Sequence, residues 1–172
     1  MQDKRDWILV GMMGAGKSTV GRELARLSER NFADTDSLLQ NRFGRSISQI
    51  FDVYGEATFR DHEHSILKGL EPEGRVLATG GGIVLREDNW EELRRLGTTI
   101  FLETPIETLI ERLAVSRKKR PLLEREDWQE ALRDLYSRRE PLYRKADHTW
   151  LFTGNLSESC AHELFLQLKE LT

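Results

Sequence analysis

The stretch that most constrains the fold of this chain runs from Gly11 to Thr19 and reads GMMGAGKST. It fits the pattern G-x-x-x-x-G-K-[ST], which forms a glycine-rich loop between a strand and a helix. The apolar run Trp7-Ile8-Leu9-Val10 precedes it and predicts the strand. After it, Val20, Leu24 and Leu27 recur on one helical face. The flanking sequence therefore supplies the setting that this loop requires.

The residue types of the loop suit the binding of phosphate groups. Its glycines let backbone N–H groups curl around phosphate oxygens, and the following helix points its positive end at them. The Lys17 ammonium should reach the β- and γ-phosphates, and the Ser18 hydroxyl should bind Mg²⁺. The alternative is a glycine-rich turn that binds nothing, which the strand and helix on either side disfavour. We predict that ATP is bound by Gly14, Ala15, Gly16, Lys17, Ser18 and Thr19.

Length and charge limit the classes of function. A chain of 172 residues predicts one domain, and its net charge of −3 gives no support for nucleic-acid binding. Residues 112–145 carry +5, however, which suggests a local anionic ligand. Cys160 is the single cysteine, and no stretch approaches the ~20 apolar residues of a membrane span. We expect a cytoplasmic monomer without a membrane partner.

Five apolar runs alternate with helical patterns along the chain, which predicts a parallel sheet covered by helices on both faces. The predicted strands are 7–10, 31–33, 75–79, 98–102 and 148–152. In such sheets ligands lie beyond the carboxyl ends of the strands. Asp34-Thr35-Asp36 and Gly80-Gly81-Gly82 follow the second and third strands, so we expect both tripeptides beside the phosphate loop.

Several residues indicate where helices begin and end. Ser46 and Gln49 have the spacing of a capping box, and Gly55 should end the helix that they begin. Thr104 is predicted to cap a helix that has Pro105 at its first position. The helix that opens at Asp127 should end before Pro141.

A phosphate loop gives nucleotide binding but does not define a reaction. The chain lacks the N-K-x-D pattern of GTPases, and its third strand ends in Thr79-Gly80 without the acid that many ATPases direct at Mg²⁺. The acid for the metal must then be Asp34, Asp36 or Glu103. In one interpretation Asp36 caps the helix 37–43. In the other, Asp34 serves the Mg²⁺ shell and Asp36 accepts a hydrogen bond from a substrate hydroxyl.

Glycine and arginine residues further along have structural and functional interpretations. Gly80-Gly81-Gly82 could form a simple turn, but its place after a strand favours close approach of a ligand. Arg60 could pair with Glu63 one helical turn later, as surface arginines often do. The basic run 117–120 could be solvated surface, or it could belong to a lid that closes over the phosphates.

Taken together, these motifs resemble the shikimate kinase family in order and spacing over nearly the whole chain. The resemblance rests on the phosphate loop, Asp34-Thr35-Asp36, Phe59-Arg60-x-x-Glu63, Gly80-Gly81-Gly82, Arg120-Pro121-Leu122-Leu123 and Arg139-x-Pro141-Leu142-Tyr143. It implies the three-layer α/β fold of P-loop kinases, with a five-stranded parallel sheet in the order 2-3-1-4-5 flanked by helices. It also implies transfer of the ATP γ-phosphate to the 3-hydroxyl of shikimate, giving ADP, in aromatic amino-acid biosynthesis.

The family pattern also implies roles for individual residues. The catalytic groups would be Lys17, Asp36 and Arg120, while Mg²⁺ would be bound by Ser18 directly and by Asp34 through water. The shikimate pocket would be lined by Asp36, Arg60, Gly80, Gly81, Gly82 and Arg139, with Phe51, Phe59 and Glu63 nearby. The substrate-binding helices would span about 34–64, and a lid at about 112–127 would bring Arg120 to the phosphates.

One region departs from the family pattern. The family has an arginine packed on adenine seven residues before the lid arginine, and this chain has Leu113 there. Arg112 and Arg117 are the candidates to replace it, and Thr153 should lie on the other wall of the adenine site. Two other functions stay open: a related metabolite kinase such as gluconate kinase, and a regulatory module that binds nucleotide without transferring phosphate.

Overall fold

A computed structural model describes residues 4–116, 123–152 and 158–171 of the chain. The strands are β1 (Asp6–Val10), β2 (Phe32–Asp34), β3 (Val76–Ala78), β4 (Gly97–Glu103) and β5 (His148–Leu151). The helices are α1 (Lys17–Ser28), α2 (Thr35–Phe43), α3 (Ile47–Gly69), α4 (Glu87–Leu96), α5 (Ile106–Ala114), α6 (Trp128–Tyr143) and α7 (Glu158–Leu171). A short 3₁₀ turn, Ile83–Leu85, lies between β3 and α4.

The five strands form one parallel sheet in the order β2-β3-β1-β4-β5, which confirms the predicted topology. Strand β1 is central: Leu9 lies opposite Ala78 of β3 on one side and Ile100 of β4 on the other. Because all the strands are parallel, their carboxyl ends meet at one edge of the sheet. The loops after β1, β2 and β3 therefore converge there.

The main core surrounds the central strand. All five residues of β1 are buried, and Leu24 of α1, Trp90 of α4 and Phe101 of β4 are fully enclosed. A second, smaller cluster of Leu39, Ile50 and Phe59 lies between α2 and α3. This second cluster fixes the pair of helices that the resemblance assigns to substrate binding. Within the described ranges, none of the helices is long and apolar enough to cross a membrane.

One of the two interpretations of Asp36 is excluded, and one predicted helix cap was wrong. Strand β2 extends to Asp34, whose backbone is still extended, and the Asp34 carboxylate accepts from the N–H groups of Asp36 and Ser37. Asp34, and not Asp36, is therefore the cap of α2. Thr104 does not cap α5 either, because the N-cap position is Pro105 and no side-chain cap is formed.

The predicted boundaries in α3 are confirmed, and the predicted end of α6 is wrong. Ser46 and Gln49 form the capping box, and Gly55 interrupts α3 with a φ of 76°, so both predictions are confirmed. Helix α6 passes through Pro141 to Tyr143, which contradicts the predicted end before the proline. Proline lacks the N–H that a helix uses for its hydrogen bonds. Tyr143 is fully buried, however, and its packing stabilises the helical conformation past the proline.

Candidate active site

The phosphate loop lies between β1 and α1 as predicted. Gly14 and Gly16 have φ angles of 83° and 93°, in the left-handed region that a Cβ would strain. The Lys17 ammonium is buried beneath the loop and donates to the carbonyl oxygens of Gly11 at 2.7 Å and Met12 at 2.9 Å. The charge is thus held inside the loop, where phosphate oxygens would approach.

Ser18 and Asp34 form a polar pair next to this loop. The Ser18 hydroxyl donates to Oδ2 of Asp34 at 2.6 Å, while Oδ1 of the same carboxylate caps α2. Among the described residues, no group of three or more acidic, histidine or cysteine side chains is arranged so that it could hold a metal ion. Kinases bind Mg²⁺ through one or two protein oxygens, waters and the phosphates themselves. The donor set of Ser18 and Asp34 fits that ion.

A cavity of about 520 Å³ opens beside the loop, between β2, α2, α3, β3 and α6. It brings together eleven of the predicted residues, which are Ser18, Asp34, Asp36, Phe51, Phe59, Arg60, Glu63, Gly80, Gly81, Gly82 and Arg139. These residues come from six separate parts of the chain, and the parallel sheet places them at one edge.

Arg60 is held in place by two carboxylates of its own helix. It donates to Glu63 at 2.5 Å and to Glu56 at 3.0 Å, and its side chain is 12% exposed. Its guanidinium also lies 5.2 Å from the centre of the Phe59 ring. A Cβ added to Gly82 would fall 2.1 Å from Nη1 of Arg60, so the guanidinium lies directly against that glycine.

Buried groups in this cavity retain hydrogen-bonding capacity. Nε of Arg60, Nε of Arg139 and Oε1 of Glu63 are buried without a hydrogen-bond partner among the described residues. Leaving such groups unpaired is costly, and cavities that bind polar ligands commonly contain them. The arrangement can accept an anion at the two arginines.

Carboxylates face the same space from another side. The Cβ that Gly80 lacks would lie 2.7 Å from Oε1 of Glu63 and 2.8 Å from Oδ1 of Asp36. The pKa of Glu63 is raised to about 7, and burial of the carboxyl is the main cause. The nearby Asp36 charge adds to this rise, and Arg60 opposes it. The cavity therefore combines two arginines with acceptors for hydroxyl groups.

Arg112, the one predicted adenine residue among the described residues, does not line this cavity. Nη1 of Arg112 donates to the carbonyl oxygens of Gly14 at 3.1 Å and Ala15 at 3.2 Å, and the guanidinium is 4.9 Å from the Phe152 ring centre. Leu113 packs against Gly14, with Cγ 3.1 Å from the position of an ideal Cβ. Arg117, Arg120 and Thr153, and residues 117–122 of the predicted lid as a whole, lie outside the described residues.

Sequence reasoning missed two residues that fix the glycine loop after β3. The Thr35 hydroxyl accepts from the N–H of Gly80 at 2.9 Å, and the Tyr143 hydroxyl donates to the Gly81 carbonyl at 2.6 Å. Both residues are fully buried. The sequence did contain an indication of both residues, since each belongs to a motif that was assigned to the site. Thr35 lies between the two aspartates, and Tyr143 ends the Arg139-x-Pro-Leu-Tyr motif.

Comparisons with known proteins agree with this geometry. The family described as shikimate kinase matches residues 13–169. A shikimate kinase of Chromohalobacter salexigens is 50% identical over 145 residues, or 84% of this chain and 80% of that protein. One of Vibrio parahaemolyticus is 42% identical and covers 99% of both chains. A solved shikimate kinase from Acinetobacter baumannii in complex with shikimate superposes with a TM-score of 0.92 at 37% identity, covering 99% of this chain and 96% of that one.

Kinases of other metabolites share the fold at a greater distance. A gluconokinase structure from Sinorhizobium meliloti covers 100% of this chain and 99% of its own, with a TM-score of 0.61 at 17% identity. Such a match shows the fold alone. The gluconate kinase alternative therefore has much weaker sequence support than the one that the motifs favour.

Proposed function

This chain belongs to the shikimate kinase family, and from that premise we propose that it transfers the γ-phosphate of ATP to the 3-hydroxyl of shikimate, producing ADP. The reaction serves chorismate and aromatic amino-acid biosynthesis. One observation carries the proposal: a single cavity joins Ser18 of the phosphate loop to Asp36, to Arg60 and to the buried Arg139.

The two arginines would bind the shikimate carboxylate. A guanidinium matches a carboxylate with two parallel hydrogen bonds, which a lysine ammonium cannot do. The unpartnered Nε atoms of Arg60 and Arg139 support this role, since an anion between them would complete their hydrogen bonding. The rings of Phe51 and Phe59 lie beside Arg60 with their centres 4.4 Å apart and their planes tilted by 36°, and they would contact the ring of the substrate.

Asp36 would accept a hydrogen bond from the hydroxyl that is phosphorylated. It faces the cavity beside Gly80, close to the Ser18–Asp34 pair. An ionised carboxylate orients a hydroxyl and can take its proton as the bond to phosphorus forms. Because phosphoryl transfer has a loose transition state, this proton can move late, and orientation is the larger contribution of Asp36.

The phosphates would be bound by the loop 11–19, with Lys17 donating to the β- and γ-phosphates. Ser18 and Asp34 would hold Mg²⁺, Asp34 through water. When bound, this ion neutralises charge that develops on the phosphate oxygens. Arg120 would add a further positive charge from the lid, and Arg112 or Arg117 would cover the adenine with Thr153 opposite. The roles of Arg117, Arg120 and Thr153 rest on the family pattern.

The chain would act as a monomer with a single domain, residues 1–172. One sheet and one main core support the single domain, and the helices α2 and α3 with their own small cluster would form its substrate-binding part.

The activity is tested by coupling ADP release to a spectroscopic signal with ATP and Mg²⁺ present. We expect rapid release with shikimate and only background release with gluconate or without an acceptor. Equal release with gluconate would assign the chain to another metabolite kinase activity. Release that no acceptor stimulates would favour the regulatory module.

The carboxylate contact is tested with the methyl ester of shikimate and with conservative variants. The ester carries no charge, so the wild-type enzyme should phosphorylate it poorly. Arg60→Lys and Arg139→Lys should weaken shikimate binding and leave ATP binding nearly unchanged. Arg138→Lys changes an exposed neighbour and is the matched control. Full activity with the ester, together with normal shikimate affinity in both variants, would remove the proposed carboxylate site.

A further inference from the structure

Asn89 is an almost completely buried amide on α4, 1% exposed. Its Nδ2 donates to the carbonyl oxygen of Ile83 at 2.7 Å, and its Oδ1 lies 2.8 Å from Nδ1 of His64. Amides are buried at this level only when their hydrogen bonds are made. Asn89 thus joins two parts of the chain that border the acceptor-binding cavity.

The direction of these hydrogen bonds follows from the groups involved. The Ile83 carbonyl can only accept, so the amino group of Asn89 must face it and Oδ1 must face His64. Oδ1 can only accept as well, which requires a proton on Nδ1 of His64. His64 therefore donates to Asn89, and Asn89 donates to Ile83.

The Ile83 carbonyl follows the glycine loop directly. The loop closes into the 3₁₀ turn through bonds from Ile83 N–H to the Gly80 carbonyl and from Leu85 N–H to the Gly82 carbonyl. Thr35 holds Gly80 and Tyr143 holds Gly81, as described above. Asn89 supplies the anchor on the other side of Gly82, the glycine that lies against Arg60.

The second bond of Asn89 reaches the helix that carries Arg60. His64 follows Glu63 on α3, and Glu63 is the buried partner of Arg60. The two bonds of one amide therefore connect both sides of the contact between Arg60 and Gly82. If the amide lost its donor, Ile83 and Gly82 could move away from α3, and Arg60 would lose the surface that fixes its orientation.

We propose that Asn89 is a positioning residue for shikimate binding, which it supports by locking the Gly80–Ile83 segment against α3 through Ile83 and His64. This inference rests on the proposed function, since it concerns the same acceptor-binding cavity. Asn89 does not line that cavity, and its effect passes through Gly82 and Arg60.

The variant Asn89→Asp tests the proposal because it keeps the shape of the side chain. The new carboxylate still accepts from His64 but meets the Ile83 carbonyl without a hydrogen to donate. We expect the KM for shikimate to rise roughly five- to tenfold, the effect of one buried hydrogen bond, with the KM for ATP unchanged. Asn31→Asp makes the same chemical change at an exposed residue before β2 and should behave as wild type.

His64 provides an independent test of the connection. His64→Ala removes the donor to Asn89 and should raise the KM for shikimate by a smaller factor, whereas His64→Gln can donate from its amide and should restore most of the affinity. Because the two residues act through one network, the double variant Asn89→Asp/His64→Ala should cost less than the product of the single effects.

The outcomes separate this inference from the proposed function. If wild-type enzyme shows no shikimate-dependent ADP release, the proposed function fails. If wild type is active and Asn89→Asp retains both KM values, the positioning role is overturned. It is equally overturned if Asn89→Asp lowers only the melting temperature and the active fraction. Should Asn89→Asp fail to fold, His64→Ala decides alone, and a normal KM for shikimate would contradict the proposal.

Discussion

Replacing Gly82 with alanine adds a single methyl group and tests whether Arg60 binds the substrate from its position against Gly82. The backbone of Gly82 has φ −93° and ψ 1°, which alanine adopts without a left-handed strain. The added Cβ would lie 2.1 Å from Nη1 and 2.3 Å from Cζ of Arg60, far inside the 3.4 Å at which ordinary contacts begin. The guanidinium must therefore move by about 1.3 Å.

The cost of this movement follows from what holds Arg60. Its side chain is 12% exposed and is clamped by Glu63 at 2.5 Å and Glu56 at 3.0 Å, so it cannot simply rotate into solvent. A shift of this size breaks the alignment of a charge-assisted hydrogen bond, which contributes about 1.5–3 kcal/mol. We therefore expect the KM for shikimate to rise roughly 10- to 100-fold.

The assay is steady-state ADP release with shikimate and ATP varied separately. Gly82→Ala should raise the KM for shikimate and leave the KM for ATP and the circular dichroism spectrum unchanged. Gly69→Ala is the matched control, since a Cβ at Gly69 meets nothing within 4 Å. A wild-type KM for shikimate in Gly82→Ala would refute the reasoning, because it would mean that Arg60 does not bind the substrate from this position.

Three further predictions concern the phosphate, metal and carboxylate groups. Lys17→Met keeps the length of the side chain but removes its charge, so kcat should fall by at least about 100-fold. The circular dichroism spectrum should stay unchanged, which would show that the fold is intact. Near-normal turnover would contradict the role of Lys17. Asp34→Asn can still cap α2, so its thermal stability should stay close to that of wild type. Because the variant loses the negative charge that would attract Mg²⁺, half-maximal activity should require at least roughly tenfold more Mg²⁺. An unchanged Mg²⁺ requirement would exclude Asp34 from the metal shell. Burial raises the Glu63 pKa from 4.5 to about 7, so the folded state binds a proton between these values. Protonated Glu63 therefore stabilises the folded state. This contribution to the free energy of unfolding is complete below the unfolded pKa of 4.5 and is lost as pH rises through the folded pKa of about 7. Urea unfolding from about pH 5 to about pH 8 should show the loss in wild type and a weaker one in Glu63→Gln, and an identical pH dependence would contradict the shifted pKa.

The phosphate loop was predictable because its signal is local. Glycine spacing, Lys17 and Ser18 define the loop within a few residues, and the flanking strand and helix follow from apolar periodicity. The order of the five strands came from the resemblance to a family. Periodicity alone gives a parallel sheet without fixing which strands are neighbours.

The errors at helix boundaries have physical causes. In Asp34-Thr35-Asp36 either aspartate can cap a helix, and the choice depends on where the strand stops being extended. The backbone of Asp34 has φ −138° and ψ 123°, so Asp34 is the last extended residue and takes the cap. At Pro141 the burial of Tyr143 in the core outweighs the local preference of proline to end a helix.

The contacts that orient the cavity could not be predicted from short patterns. The bond from Tyr143 to Gly81 spans 62 residues, and the bond between His64 and Asn89 spans 25. Such pairs have no spacing rule, since they depend on how α3, α4 and α6 pack around the 3₁₀ turn. The sequence therefore predicted the residues that line the cavity more fully than the residues that hold them in place.

Analysis of the reaction product distinguishes transfer to the 3-hydroxyl of shikimate from every other outcome. Wild-type enzyme is incubated with ATP, Mg²⁺ and shikimate, and the product is examined by phosphorus–proton correlation in solution NMR. We expect one phosphorylated product, whose phosphorus is coupled to the proton on carbon 3 of shikimate and which forms in equal amount with ADP. Phosphate on a different hydroxyl, or ADP formed without phosphorylated shikimate, would contradict it.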